Sequence, residues 1–182
     1  MRADARRNRE KVLRAAYEAF ASEGRGVSVQ EIARRAGVGT GTVSRHFPTK
    51  EALYEAIVLD RMEVLAGAAE GFAAERGPGE AFSAFLGFMV DEGALDHGLA
   101  DALSGDGFDV VAAARGTGHD VVEVLGALLA RAQEAGEVRG DVDAADVKAL
   151  VSGCIARGRG GADEAARRRT VAVVLDGLRP RA

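Results

Sequence analysis

The chain has 182 residues, 47% of them hydrophobic and 29% charged, a composition that suits a soluble globular protein with a real core. The formal charge of −4 hides a division: residues 1–50 hold 11 Lys/Arg against 5 Asp/Glu, net +6, whereas residues 51–182 hold 13 against 23, net −10. The longest apolar runs, such as VAVVL at 171–175, are too short to cross a bilayer, and MRADARRNRE offers no signal-peptide core, so a cytoplasmic location is expected; the single Cys154 excludes an internal disulfide.

In chain order the pattern predicts helix nearly throughout. REKVLRAAYEAFASEG (9–24) places Val12, Leu13, Ala16 and Phe20 on one stripe and stops at Gly24. The arginines at 2, 6, 7 and 9 then form a basic segment at or ahead of that helix, where they can brush phosphates or remain a solvated tail. SVQEIARRAG opens with Ser28 three residues before Glu31, a capping box, and closes at Gly37. A short segment from Gly39 to Phe47 follows, then Pro48, then Thr49 as the N-cap of a long helix starting KEALYEAIVLDRMEVLAGAAEGFAAE. Beyond RGPGE, helices are expected near 79–92, 96–104, 107–114, 117–135, 143–157 and 163–178, punctuated by Gly93, Gly136, Gly140 and RGRGG at 157–161. No run alternates with period two, so the expected class is all-α.

The segment 36–50, AGVGTGTVSRHFPTK, is built from poor helix formers, yet Val38, Val43 and Phe47 keep a helical rhythm. A helix of about eight residues, a glycine turn and a second short helix is the plan of a helix-turn-helix, whose second helix enters the DNA major groove. Short side chains suit such a helix, because Gly39 and Gly41 let the backbone approach closely while Thr40, Thr42 and Ser44 present hydroxyls to phosphates or bases. Lys50 opposes the positive end of a helix macrodipole, but with the free N–H groups there it makes a phosphate clamp. His46 either donates a ring N–H to a phosphate or packs on Phe47.

VLRAAYEAFASEGRGVSVQEIARRAGVGTGTVSRHFPTKEALYEAI resembles the DNA-binding region of TetR-family transcriptional regulators over about 46 residues. The family pattern ends Gly-Thr-Leu-Tyr-x-His-Phe-x-x-Lys-Glu, matched here by Gly41, Thr42, Val43, Ser44, Arg45, His46, Phe47, Lys50 and Glu51, with Ser44 standing where a tyrosine is usual. The resemblance implies a helix-turn-helix DNA-binding domain (1–60) as an N-terminal three-helix unit. A long fourth helix joins it to a helical ligand-binding and dimerisation domain (61–182). By the same resemblance Thr40, Gly41, Thr42 and Arg45 face bases or backbone, and His46 and Lys50 hold phosphates. Gln30 matches a position that reaches a base, and Ser28 one that touches the backbone. Its partners are then a palindromic double-stranded operator, a second copy in a homodimer, and a small-molecule effector; no cofactor, metal or membrane is implied.

In that family the last two helices pair between subunits. Val147, Leu150, Val151 and Cys154 share one apolar face here, and Val171, Val174, Leu175 and Leu178 another, so these stretches are assigned to the dimer interface, the alternative being that they cover only the subunit's own core. Asp163 with Arg167, and Glu164 with Arg168, are spaced as solvated helix pairs. Most phenylalanines, Phe108 among them, lie in the C-terminal part; Phe85, Phe88 and Met89 with Glu92 just beyond fit an effector pocket with one polar anchor, or an ordinary core helix. His97 and His119 beside Asp96 and Asp120 read as surface pairs.

Two rivals fare poorly. GVGTG resembles a dinucleotide-binding glycine loop, but it follows a helix where a strand is required, and HExxH, GxSxG and GKS/T are absent, so no enzyme is expected. RGRGG suggests RNA binding, but the loop lacks aromatic residues for base stacking.

Overall fold

A computed structural model describes residues 2–23, 26–104, 121–158 and 164–180 of the chain. Eight helices occur among them: α1 (Arg2–Glu23), α2 (Val29–Ala36), α3 (Thr40–His46), α4 (Lys50–Glu75), α5 (Pro78–Ser104), α6 (Val121–Glu134), α7 (Ala144–Gly158) and α8 (Glu164–Gly177). No described residue is in a strand. None of these helices is long and apolar enough to cross a membrane.

The chain divides into two compact units, Met1–Arg61 with Leu95–Thr117, and Met62–Ala94 with Gly118–Ala182. In the first, α1, α2 and α3 pack on one another. Their apolar stripes meet the start of α4 in a core where Leu13, Phe20, Ile32, Leu53, Tyr54 and Ile57 are all fully buried. Each such side chain removed from water contributes about 1.5–3 kcal/mol. The Phe20 and Tyr54 rings meet edge to face at 5.1 Å. That core lets α3 exist, because seven residues are too few for an isolated helix.

The second unit is built around Phe82, Phe85, Leu86, Val90 and Leu125, with α7 packing on both α6 and α8. Gly136, at φ +70°, ends α6. The Gln133 side-chain amide then donates to the Arg139 and Val142 carbonyls at 2.9 Å, tying down the loop. Asp143 starts α7 by accepting from the N–H groups of Ala145 and Asp146 at 2.8 and 2.9 Å, and the Asp146 carboxylate accepts in return from the Asp143 N–H at 3.1 Å.

Several expectations need correction. Helix α1 starts at Arg2, so the arginines at 6, 7 and 9 lie within it, and short-range ion pairs such as Arg6–Glu10 accompany its extension. The two helices expected at 79–92 and 96–104 are one, because Gly93 sits inside α5 rather than ending a helix. A Cβ at Gly93 would lie 2.4 Å from Ile155 Cδ1, so this glycine leaves room for the Ile155 side chain of α7. The apolar faces assigned to a dimer interface turn largely inward: Val147, Val151, Cys154 and Leu178 are buried in the subunit's own core. Burial accordingly pushes the Cys154 thiol above its ordinary pKa. Val171, Val174 and Leu175 are half-buried against the same core, and Leu150 faces outward. Arg168 pairs with Glu164 at 2.6 Å, while Arg167 reaches Asp91 of α5 at 3.9 Å. The helix expected at 107–114, Phe108, His119, Asp120, Asp163 and most of RGRGG lie outside the described residues, as do the side chains of Asp96 and His97.

Candidate nucleic-acid interface

The site begins with two local stops. Ser28 stays extended (φ −87°, ψ 155°) and its Oγ accepts from the Glu31 N–H at 3.2 Å, which caps α2. The Glu31 carboxylate turns away from the return arm of a capping box and binds Arg34 and Arg35, at 2.7 Å each. Arg35 continues the chain of charges to Glu23 at the end of α1. The two guanidiniums, Arg34 first and then Arg35, hold the Glu31 carboxyl at about 2.

At its far end α2 closes on Gly37, which adopts φ +65°, the left-handed region that side chains with a Cβ disfavour. The Gly37 and Val38 N–H groups donate back to the Arg34 and Ala33 carbonyls at 3.2 and 3.0 Å. With Ala33 only 2% exposed, the chain turns tightly there and sends α3 off with Gly39 as its N-cap.

Helix α3 is anchored from one side. Val43 and the following Phe47 are buried, and the Phe47 N–H donates to the Val43 carbonyl at 2.8 Å. The opposite surface is exposed at Thr40, Gly41, Ser44 and Arg45, while Thr42 and His46 are half-buried. Ser28 and Gln30 at the start of α2 are exposed too. Arg45 lies back along its own helix, its Nε donating to the Gly41 carbonyl at 2.9 Å and a terminal nitrogen reaching Thr42 Oγ1 at 3.4 Å. Near Gly39 and Gly41, a Cβ would meet no protein atom within 4 Å. Close packing within the protein therefore does not explain either glycine.

The end of α3 leads directly into α4. Thr49 Oγ1 accepts from the Ala52 N–H at 3.1 Å, capping α4. Lys50 places its ammonium 5.6 Å from the Tyr54 ring centre and 5.9 Å from that of Phe20. Its half-buried stem thus holds a cation at the edge of the core, beside the positive end of the α4 dipole. The His46 ring lies 6.2 Å from Phe47. Arg9, from α1, sits 5.6 Å over that same Phe47 ring. The basic composition of the N-terminus hinted at Arg9, but its place at the end of α3 depends on where α1 crosses.

The residues offered for an effector pocket lie in the second unit. Phe85 and Met89 belong to the core of the second unit, and Phe88 meets Phe72 edge to face at 6.1 Å. Among the described residues, grooves open on that unit of about 320 Å³ beside Gly79 and Leu178 and of about 250 Å³ between α4 and α6, the latter carrying Glu70 and Arg131. Phe85, Phe88, Met89 and Glu92 line neither. Among the described residues no group of three His, Cys, Asp or Glu side chains could hold a metal ion.

Residues 12–57 match the family described as bacterial regulatory proteins, tetR family, and residues 77–180 match the SbtR-like transcriptional regulator C-terminal domain. A TetR transcription regulatory protein from Mycobacterium vanbaalenii has a similar structure, with 49% identity, 98% of each chain covered and a TM-score of 0.82. The TetR transcriptional regulator SCO0520 from Streptomyces coelicolor is 36% identical over 96% of this chain and 99% of its own, with a TM-score of 0.80. A TetR-family regulator structure from Rhodococcus sp., 23% identical over 94% of this chain and 98% of its own, shares the fold at a TM-score of 0.68. No curated protein matches the chain.

Proposed function

Because the chain belongs to the TetR family of bacterial transcriptional regulators, we propose that it binds a palindromic operator as a cytoplasmic homodimer, represses a nearby promoter and is released by a small-molecule effector. The observation that carries this reading is the outward surface of α3: Thr40, Gly41, Ser44 and Arg45 are exposed, held from behind by Val43 and Phe47, with Lys50 following at the start of α4. In this reading α3 lies in the major groove. Thr40, Thr42 and Arg45 meet bases or backbone, Gln30 reaches a base edge, and Ser28, Ser44, His46 and Lys50 address phosphates. The Ser44 hydroxyl replaces the phenol usual in the family with a shorter reach.

Two copies then present their α3 helices to half-sites one helical turn or a small multiple apart, about 34–36 Å per turn. The outward sides of α7 and α8, with Leu150 40% and Val173 71% exposed, offer apolar side chains to a partner copy. An effector in the second unit acts by binding the released state more tightly than the operator-bound one. A regulator of this kind needs no catalytic group.

The experiment is selection of bound duplexes from a random DNA pool, followed by titration of the selected sequence with wild type and Lys50→Ala. Selection should return a two-fold symmetric site. Lys50→Ala should weaken binding to every sequence alike and flatten the salt dependence by about 0.9 log units per lost phosphate contact. An unsymmetric or unselective outcome would overturn the operator reading, and altered base preference at an unchanged salt slope would overturn the role of Lys50.

A further inference from the structure

We infer that Arg9 is a further contact to the DNA phosphate backbone, so that the binding footprint extends from the helix-turn-helix onto α1; the inference rests on the operator-binding reading above. Arg6, Arg7 and Arg14 of α1 are engaged within the helix itself. Arg6 pairs with Glu10, Arg7 with Asp4 and Arg14 with Glu18. Arg9 instead reaches across to the residue that ends α3, its guanidinium carbon 5.6 Å over the centre of the Phe47 ring.

That placement has two consequences. A cation over an aromatic face is held by the ring's quadrupole, an attraction that uses none of its N–H donors. Arginine carries five such donors in a planar fork whose geometry matches two phosphate oxygens. The Phe47 ring, itself only 6% exposed, is a fixed platform belonging to the core. His46 lies against the same ring at 6.2 Å, and Lys50 follows three residues later. Arg9 therefore adds a permanently charged fork to the end of α3 where the other two proposed phosphate ligands sit. Its side chain is exposed, and the surrounding residues 1–50 carry a net charge of +6 (11 Lys/Arg less 5 Asp/Glu), which favours a polyanion there.

The rival role is purely structural, with Arg9 covering Phe47 and stabilising the turn after α3. The test separates them with the full-length protein and the selected duplex. Arg9→Gln keeps most of the stem and removes the charge, Arg9→Lys keeps a cation, and Arg14→Gln removes an equal charge from the same helix. Affinities are measured by fluorescence anisotropy between about 50 and 200 mM salt, a range over which phosphate contacts separate clearly. Arg9→Gln should weaken binding about tenfold on selected and random duplex alike and lower the salt slope by about 0.9 per subunit. Arg9→Lys should keep the slope, and Arg14→Gln should leave it at the wild-type value. Thermal unfolding of each variant shows whether the fold is intact. An unchanged slope in Arg9→Gln, or an equal fall in Arg14→Gln, overturns the inference while leaving the operator reading standing. Should Arg9→Gln fail to fold, Arg9→Met, which keeps an apolar stem over the Phe47 ring without the charge, should lower the slope by the same amount, and an unchanged slope overturns the inference. Wild type that binds no duplex would overturn both readings.

Discussion

Replacing Gly41 by alanine asks whether α3 is shaped for the protein or for what the protein binds. Gly41 is the second residue of α3, its φ is not positive, and a Cβ there would meet nothing within 4 Å. Glycine in a helix is less favourable than alanine by roughly 0.5–1 kcal/mol, through backbone entropy. Gly41→Ala should therefore stabilise the first unit by up to about that amount. If the whole chain melts together, a gain of 1 kcal/mol raises Tm by roughly 2–4 °C for this size. The Arg45 hydrogen bond survives the change, because its acceptor is the residue-41 carbonyl. A methyl on the exposed side of α3 nevertheless separates the backbone from the groove. If that separation costs about 1.4 kcal/mol, operator affinity falls about tenfold. Circular-dichroism melts and anisotropy titrations on one sample read both effects. Greater stability with unchanged affinity would refute the close approach of Gly41 to DNA. Lower stability would refute the claim that nothing inside the protein requires glycine here.

Gly37 offers the opposite case, since its φ of +65° penalises any Cβ although the space is open. Gly37→Ala should cost about 1–2 kcal/mol and Gly37→Asn less, because asparagine tolerates the left-handed region; equal losses in urea unfolding would contradict this. The Glu31 carboxyl is held at about 2, below its ordinary value, so its contribution is full above the unfolded carboxylate range near pH 4.3 and lost as pH falls toward 2. The difference in melting temperature between wild type and Glu31→Gln should shrink across that window, and a constant difference would show that the ion pairs contribute nothing. Val173→Glu combined with Leu150→Glu alters side chains exposed in the single subunit, so the fold should persist while sedimentation shifts from dimer to monomer. An unchanged dimer would place the interface elsewhere.

The parts of this protein that could be read from its residues are those whose causes lie within one helical turn. Ser28 and Thr49 start helices because a hydroxyl oxygen satisfies an N–H three residues ahead, and Gly37 turns the chain because it lacks a Cβ. The inward positions of the first unit, Val12, Leu13, Phe20, Ile32 and Val43, follow from helical period alone, and so does the exposed surface of α3. Helix α1 starts ahead of its apolar stripe, where pairs between neighbouring turns, Asp4 with Arg7 and Arg6 with Glu10, add helical support to a strongly charged segment.

What only the tertiary structure decided are the matters that depend on a distant partner. An apolar stripe looks the same whether it faces its own core or a second subunit, and packing against α5 and α6 turned Val147, Val151 and Cys154 inward while Leu150 stayed outside. Gly93 resembles a helix stop, yet α5 runs through it, and Ile155, more than sixty positions away, occupies the space a Cβ would need. Arg9 and Phe47 are likewise remote in the chain, and only the crossing of α1 with the end of α3 brings that cation over that ring. Hydrogen bonds and period act over a few residues, whereas the contact that selects a face is made by a surface whose position no local pattern encodes.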